Sequence, residues 1–337
     1  MKKEIRVKLV GRASLSDEES SFRIQSEGNK AKWGACAFVF NPLEKNYDWL
    51  VIIDDIPKII PNKVEPLTCS KENTILVTTE PSSITRYGRA FSKQFNYLIT
   101  NQDAKVLPHK NAIRSQTGMR WYYGKDYDSI VSTTDLHKTK KISTICSDKQ
   151  QGHTLHKLRY EFTKIMEARI PELKRFGRGF KWIETKAEAL DEYEFHVAIE
   201  NHFAPNVWTE KLADAFLGFT VPIYYGCPNV YDYFPEDSLI QIDLYDVEGS
   251  IAKIKEIIAT EGEYERRLDA VKEARRRVIE EYNLLAMINT IVEKSDTEKQ
   301  SEISDYKIYN RKIMRVRHLP DLVRFVFFRL SNFIKNF

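Results

Sequence analysis

The run Val197–Gly226, VAIENHFAPNVWTEKLADAFLGFTVPIYYG, limits the fold more than any other part of this 337-residue chain. It opens on apolar residues and breaks at a polar turn. It continues as an amphipathic segment whose apolar positions Leu212, Ala215, Phe216 and Phe219 fall at helical spacing. A second apolar run then ends at Gly226. Strand, helix, strand in that order is a βαβ unit, and such units build a parallel sheet. Asn206 reads as the N-cap, with the helix starting near Val207 and Lys211 in its first turns. A lysine there opposes the helix dipole unless an anion binds at the same end.

The alternation extends both ways. Ile5–Val10, Ala35–Phe40, Asp48–Asp54, Asn73–Thr79 and Phe95–Thr100 read as short buried strands of a sheet covered on both faces. A second series holds a strand at Ile142–Cys146, a helix at His156–Ile170, the βαβ unit and a further strand at Ser238–Leu244. Helices follow over residues 247–260 and in the charged run 263–294. The lysine-rich stretch Thr133–Lys141 reads as an interdomain linker. The chain is thus expected to form domains over residues 1–135 and 140–300, with a tail over 301–337.

A formal net charge of +4 argues against a protein that coats nucleic acid. The four cysteines, Cys36, Cys69, Cys146 and Cys227, include no CxxC pair and read as reduced thiols in a cytosolic compartment. The seven histidines show no ligand spacing, so no metal site and no cofactor are expected. Asp54 and Asp55 read as polar groups at a strand end. No segment has the roughly 18 consecutive apolar residues needed to span a bilayer.

The stretch FHVAIENHFAPNVWTEKLADAFLGFTVPIYYGCPNVYDYFPEDSLIQI resembles the signature of family 10 glycosyltransferases, the α-1,3/4-fucosyltransferases, bacterial type. Glu200, Asn201, Thr209, Glu210, Lys211, Pro222, Gly226, Pro235 and Ser238 carry the match. Upstream, SDKQQGHTLHKLRYEF resembles the family's serine turn and arginine helix, with Arg159 in the arginine's place. KAEALDEYEFH resembles the segment leading into the strand, and the likeness covers Lys140 to about Glu293. One departure is that the aromatic expected two positions before Thr209 stands one residue later, at Trp208.

The resemblance implies an α/β protein of two facing Rossmann-like domains (GT-B type) with a C-terminal helical tail. It implies inverting transfer of fucose from GDP-fucose to a hydroxyl of a glycan acceptor, without a metal. Arg159 and Lys211 are then expected on the diphosphate, and Asn201, Glu210, Glu200 and Thr209 at the nucleotide and its sugars. Glu200 reads equally well as a buried acceptor and Asn201 as a holder of the turn. A carboxylate of the N-terminal domain serves as base in the family, and Glu80 in VTTEPSS stands for it. Alternative readings are transfer from another nucleotide sugar, or a catalytically silent nucleotide- or glycan-binding protein.

The tail places Leu319, Leu322, Val323, Val326, Leu330, Phe333, Ile334 and Phe337 along one helical face, with Phe325, Phe327 and Phe328 off it. A basic amphipathic helix of this kind suits an anionic membrane surface, and packing on the protein's own core is the other use. The expected setting is the cytoplasmic face of a bacterial membrane, with lipopolysaccharide or capsule glycans as acceptors.

Overall fold

The computed structural model describes residues 4–12, 21–118, 120–149, 154–295 and 305–335. They divide into two compact units, Met1–Gly118 with Leu284–Phe337, and Met119–Asn283.

The first unit begins with β1 (Ile5–Gly11), β2 (Lys32–Trp33), β3 (Cys36–Val39), β4 (Trp49–Ile53), β5 (Val64–Pro66), β6 (Thr74–Thr78), α1 (Arg89–Ser92), β7 (Tyr97–Thr100) and β8 (Ala112–Arg114). Its main sheet has the order β2-β3-β1-β4-β6-β7-β8, and only the β2–β3 pair is antiparallel. The inner strands WLVII and TILVT are buried almost throughout. That is the mark of a sheet covered on both faces.

The second unit holds α2 (Tyr127–Ser132), β9 (Lys140–Ile145), α3 (His156–Arg169), β10 (Leu173–Phe176), β11 (Tyr193–Ile199), α4 (Glu210–Leu217), β12 (Val221–Tyr225), β13 (Ile240–Gln241), α5 (Val247–Ala259) and α6 (Glu263–Glu280). Its five strands are all parallel, in the order β10-β9-β11-β12-β13. The chain steps outward from β9 to β10, then crosses to β11 on the other side of β9. The β9/β11 boundary is therefore the topological switch point, where such sheets open a crevice at their carboxyl ends.

The chain then returns to the first unit as α7 (Leu284–Lys294), β14 (Lys307–Tyr309), α8 (Arg311–Arg317) and α9 (Leu319–Lys335). Leu284, Leu285, Ile288, Ile291 and Val292 of α7 pack with Val7, Leu9, Phe38, Trp49 and Val51. Gly118 and Leu284 adjoin, since a Cβ on Gly118 would stand 2.6 Å from Leu284 Cα. β14 pairs with β5 and buries Ile308.

These boundaries differ from the sequence reading. The unit boundary lies at Gly118/Met119, not in the lysine-rich stretch, because that stretch is built into the second unit. Trp121, Tyr123 and Ile130 belong to its core. Lys138 Nζ donates to the carbonyls of Leu190, Asp191 and Gly218 at 3.1, 3.0 and 2.6 Å. The charged run 263–294 is two helices, α6 and α7, and they lie in different units.

α9 also differs from expectation. Its inner face carries Asp321, which accepts from the Ala90 amide at 2.8 Å, and Phe325 and Phe328, which are partly buried beneath Arg315 and Arg86. Of the anticipated apolar stripe, Leu319, Val323, Val326 and Leu330 are exposed, with Phe327 beside them, and Leu322 is half-buried. The side chains of Phe333 and Ile334, and all of Phe337, lie outside the described residues. No helix among the described residues is long and apolar enough to cross a membrane.

Candidate functional site

The carboxyl ends of β9, β10 and β11 border a cavity of about 270 Å³ in the second unit. Arg159, Asn201, Glu210 and Lys211 all line it, together with Lys149, Arg178, Lys186, His156 and Asp214. Five Lys and Arg side chains thus face two carboxylates. A site of that balance attracts an anion.

Arg159 is nearly buried on α3 and spans the switch point. Its Nη2 donates to the Ile145 carbonyl at the end of β9, at 2.9 Å. Its Nη1 donates to Asn201 Oδ1 just past β11, at 2.8 Å. Asn201 in turn accepts from the Leu155 amide through its backbone carbonyl, at 3.1 Å. The polar turn and the start of α3 therefore hold each other.

Glu200 is buried, and both of its oxygens serve Thr209. The Thr209 amide donates to Oε1 and its hydroxyl to Oε2, each at 2.7 Å. Burial holds the Glu200 carboxyl above its ordinary pKa. Gly226 is required beside it, because a Cβ there would stand 2.4 Å from Glu200 Cγ.

Thr209 is the N-cap of α4, its hydroxyl accepting from the Lys211 amide at 3.4 Å. The expected cap, Asn206, has φ of 61° and lies outside the helix. Its side chain accepts from Asn229 Nδ2 at 2.9 Å and from the Tyr233 hydroxyl at 2.7 Å. The helix starts three residues later than expected because the chain must first pass that turn.

Lys211 Nζ lies 2.8 Å from Glu210 Oε1 and 3.7 Å from Glu200 Oε2. Burial pulls the ammonium pKa down, but Glu200 and Glu210 outweigh it and leave Lys211 raised. Burial works the other way on Glu210, yet Lys211 and Lys186 bring its carboxyl down to about 2. Both groups are charged at neutral pH. The helix start is thus an ion-pair network with its cations on the cavity.

Lys186 is a residue the sequence reading did not single out. It sits on a short 3-10 turn before β11, and its Nζ lies 2.7 Å from Asp214 Oδ2. Burial pushes Asp214 up to about 6 despite that partner. The signal was present only as a lysine in the segment leading into the strand. His196 on β11 is buried, with Nδ1 2.7 Å from the Ser143 hydroxyl, and burial lowers its pKa to about 3.

Trp208 is not on the cavity. It is buried edge-on against Tyr233, Phe234 and Tyr282. Tyr224 is fully buried and Tyr225 packs against Phe203, with ring centroids 5.2 Å apart.

Glu80 belongs to the first unit, in the loop after β6. Burial and then Asp54 raise its carboxyl pKa. Asp54 itself accepts from the Thr79 amide at 2.8 Å and hydroxyl at 2.6 Å, so it shapes the loop that carries Glu80.

Comparison with known proteins bears on the same region. The profile of Glycosyltransferase family 10 (fucosyltransferase) C-term matches residues 136–308. An alpha-(1,3)-fucosyltransferase FucT of Helicobacter pylori is 34% identical over 74 residues, which cover 22% of this chain and 16% of that protein. An alpha-(1,4)-fucosyltransferase of Arabidopsis thaliana is 42% identical over 60 residues, covering 18% and 15%. A human 4-galactosyl-N-acetylglucosaminide 3-alpha-L-fucosyltransferase 9 is 28% identical over 168 residues, covering 44% and 45%. The matches thus span less than half the length of these curated relatives. The crystal structure of an alpha1,3-fucosyltransferase with GDP-fucose shares the fold, with a TM-score of 0.52 at 16% identity over 89% of this chain and 93% of that one. Since the profile spans just over half of its length, the chain belongs to glycosyltransferase family 10, the fucosyltransferase family.

Proposed function

We propose that this protein is an inverting, metal-independent glycosyltransferase that moves L-fucose from GDP-fucose to a hydroxyl of a glycan acceptor. The observation that carries the proposal is the meeting of Arg159 and Lys211 in one cavity at the switch point. A leaving diphosphate gathers negative charge as the anomeric bond breaks, and preorganised cations stabilise it. Arg159, Lys211 and Lys186 supply them. The N-terminus of α3, whose N-cap Leu155 offers no side-chain cap, adds its dipole. Among the described residues no group of three or more His, Cys, Asp or Glu side chains could hold a metal ion. In this reading Arg159, Lys211 and Lys186 take the place of a divalent cation at the diphosphate.

In this reading the acceptor hydroxyl attacks the anomeric carbon on the face opposite the diphosphate. The bond from that carbon to the phosphate oxygen breaks, its electron pair leaves with GDP, and the hydroxyl proton passes to Glu80. Configuration inverts. Asn201 and Glu210 hold the nucleotide and its sugars. Glu200 and Thr209 act through Lys211 as positioning residues.

The work is done on the cytoplasmic side, with the exposed face of α9 against the membrane and bacterial surface glycans as acceptors. Exposed Leu319, Val323, Val326 and Leu330, with Arg317 and Arg329 exposed beside them, support that placement.

Calorimetry with GDP, followed by hydrolysis assays across GDP- and UDP-sugars, tests the proposal. GDP binding with turnover confined to GDP-fucose is the expected result. Failure of GDP to bind refutes it.

A further inference from the structure

The first unit contains a second cleft, of about 560 Å³, between residues 86–107 and the pair α8 and α9. Arg86, Arg89, Lys105, Arg315 and Arg324 line it. Asp321 is the one carboxylate among its described lining residues. That carboxylate is already engaged by the Ala90 amide at 2.8 Å and Arg324 Nη1 at 3.3 Å.

The remaining cations form no ion pair among the described residues. The guanidinium groups of Arg86 and Arg315 lie over Phe328 and Phe325 at 5.3 and 3.5 Å from the ring centres. Burial lowers the pKa of both; at Arg315, Arg311 adds to the effect and Asp55 and Asp321 oppose it. Arg89 Nε is buried with no hydrogen-bond partner. Crowded cations cost free energy, and a bound anion offsets that cost.

The cleft shares its walls with the loop of Glu80. Tyr87 and Gln102 both line it. The Glu80 amide donates to the Tyr87 hydroxyl at 3.1 Å, and Gln102 Nε2 donates to the Glu80 carbonyl at 2.9 Å. These loops follow β6 and β7, at the carboxyl edge of a parallel sheet, where ligands bind. Phe327 lines the cleft and is exposed, offering an aromatic face to a sugar ring.

We infer that this cleft holds an anionic substituent of the acceptor saccharide, a phosphate, sulfate or carboxylate, so that the acceptor is a charged glycan. The inference rests on the proposed transfer reaction for its purpose, but it is tested by binding alone. The probes are N-acetyllactosamine and its sialylated and phosphorylated forms, titrated into the full chain loaded with GDP. A charged form is expected to bind about tenfold or more tighter than the neutral one at low salt, with the advantage lost at high salt.

Arg86→Gln and Arg324→Gln are expected to erase that advantage while thermal stability, GDP affinity and GDP-fucose hydrolysis stay unchanged. Equal binding of charged and neutral forms, or an advantage that survives both substitutions, overturns the inference. So does a pair of variants that lose binding to phosphatidylglycerol vesicles while no charged saccharide binds, which assigns the cleft to a lipid surface. Charge-selective binding without any donor hydrolysis upholds the cleft and sinks the transferase reading instead.

Discussion

Glu200 and Thr209 are joined by two hydrogen bonds of 2.7 Å, one to the amide and one to the hydroxyl. The pair ties the end of a strand to the first turn of the next helix. It thereby fixes where Lys211 enters the cavity. Thr209→Val keeps the shape and removes the hydroxyl, leaving a buried carboxylate short of a donor. A loss of about 1–3 kcal/mol in stability is expected, together with weaker GDP binding. Denaturant midpoints and calorimetry measure the two.

Lys211→Ala and Lys186→Ala should each weaken GDP binding by about ten- to a hundredfold, the worth of a charge-assisted hydrogen bond. Guanosine, which has no phosphates, should bind both variants as it binds the native chain. Equal losses for guanosine and GDP would show that the lysines serve the fold and not the diphosphate.

Glu80→Gln should lower transfer by about a hundredfold or more, as expected for a general base, while GDP affinity is kept. Turnover retained in the variant removes Glu80 from that role.

His196 titrates at about 3 in the folded chain, far below its ordinary value of 6.5, because burial disfavours the imidazolium. The unfolded chain therefore takes up a proton between those pH values and the folded chain does not. Stability contributed by the neutral ring is present above about pH 6.5 and lost as pH falls toward 3, by at most about 1.4 kcal/mol per pH unit. Urea midpoints measured across this range should fall less steeply for His196→Asn than for the native protein.

Val323→Glu with Val326→Glu tests the outward face of α9. Both side chains are exposed, so folding should be unaffected while sedimentation with anionic liposomes is lost. Deleting residues from 305 onward would be a poorer test, since it also removes buried Ile308 from its pairing with β5.

Much of this architecture was legible in the sequence, because long apolar runs such as WLVII and the amphipathic period of α4 are local signals. The pairing of β5 with β14 was not, since three-residue strands far apart in the chain leave no periodicity to read. Lys138 looked like part of a solvated linker, and only the carbonyls of Leu190, Asp191 and Gly218 give it a buried role. Arg159 and Lys211 could be placed by motif. Lys186 could not, because its relation to Asp214 depends on how a 3-10 turn meets a helix 28 residues later. On α9 the apolar stripe was read as facing either an anionic membrane surface or the protein's own core, a choice that periodicity alone does not make. The structure turns Phe325 and Phe328 inward under arginine and leaves Leu319, Val323, Val326 and Leu330 to solvent.

The meeting of Gly118 with Leu284 gives the chain an unusual modularity. Everything from Met119 to Asn283 is spliced into the first unit at a single locus, whose two lips already touch. A short bridge from one lip to the other would close the host around its own α7, and the insert could be produced as one uninterrupted polypeptide. Evolution could then exchange the inserted module without disturbing the framework that receives it.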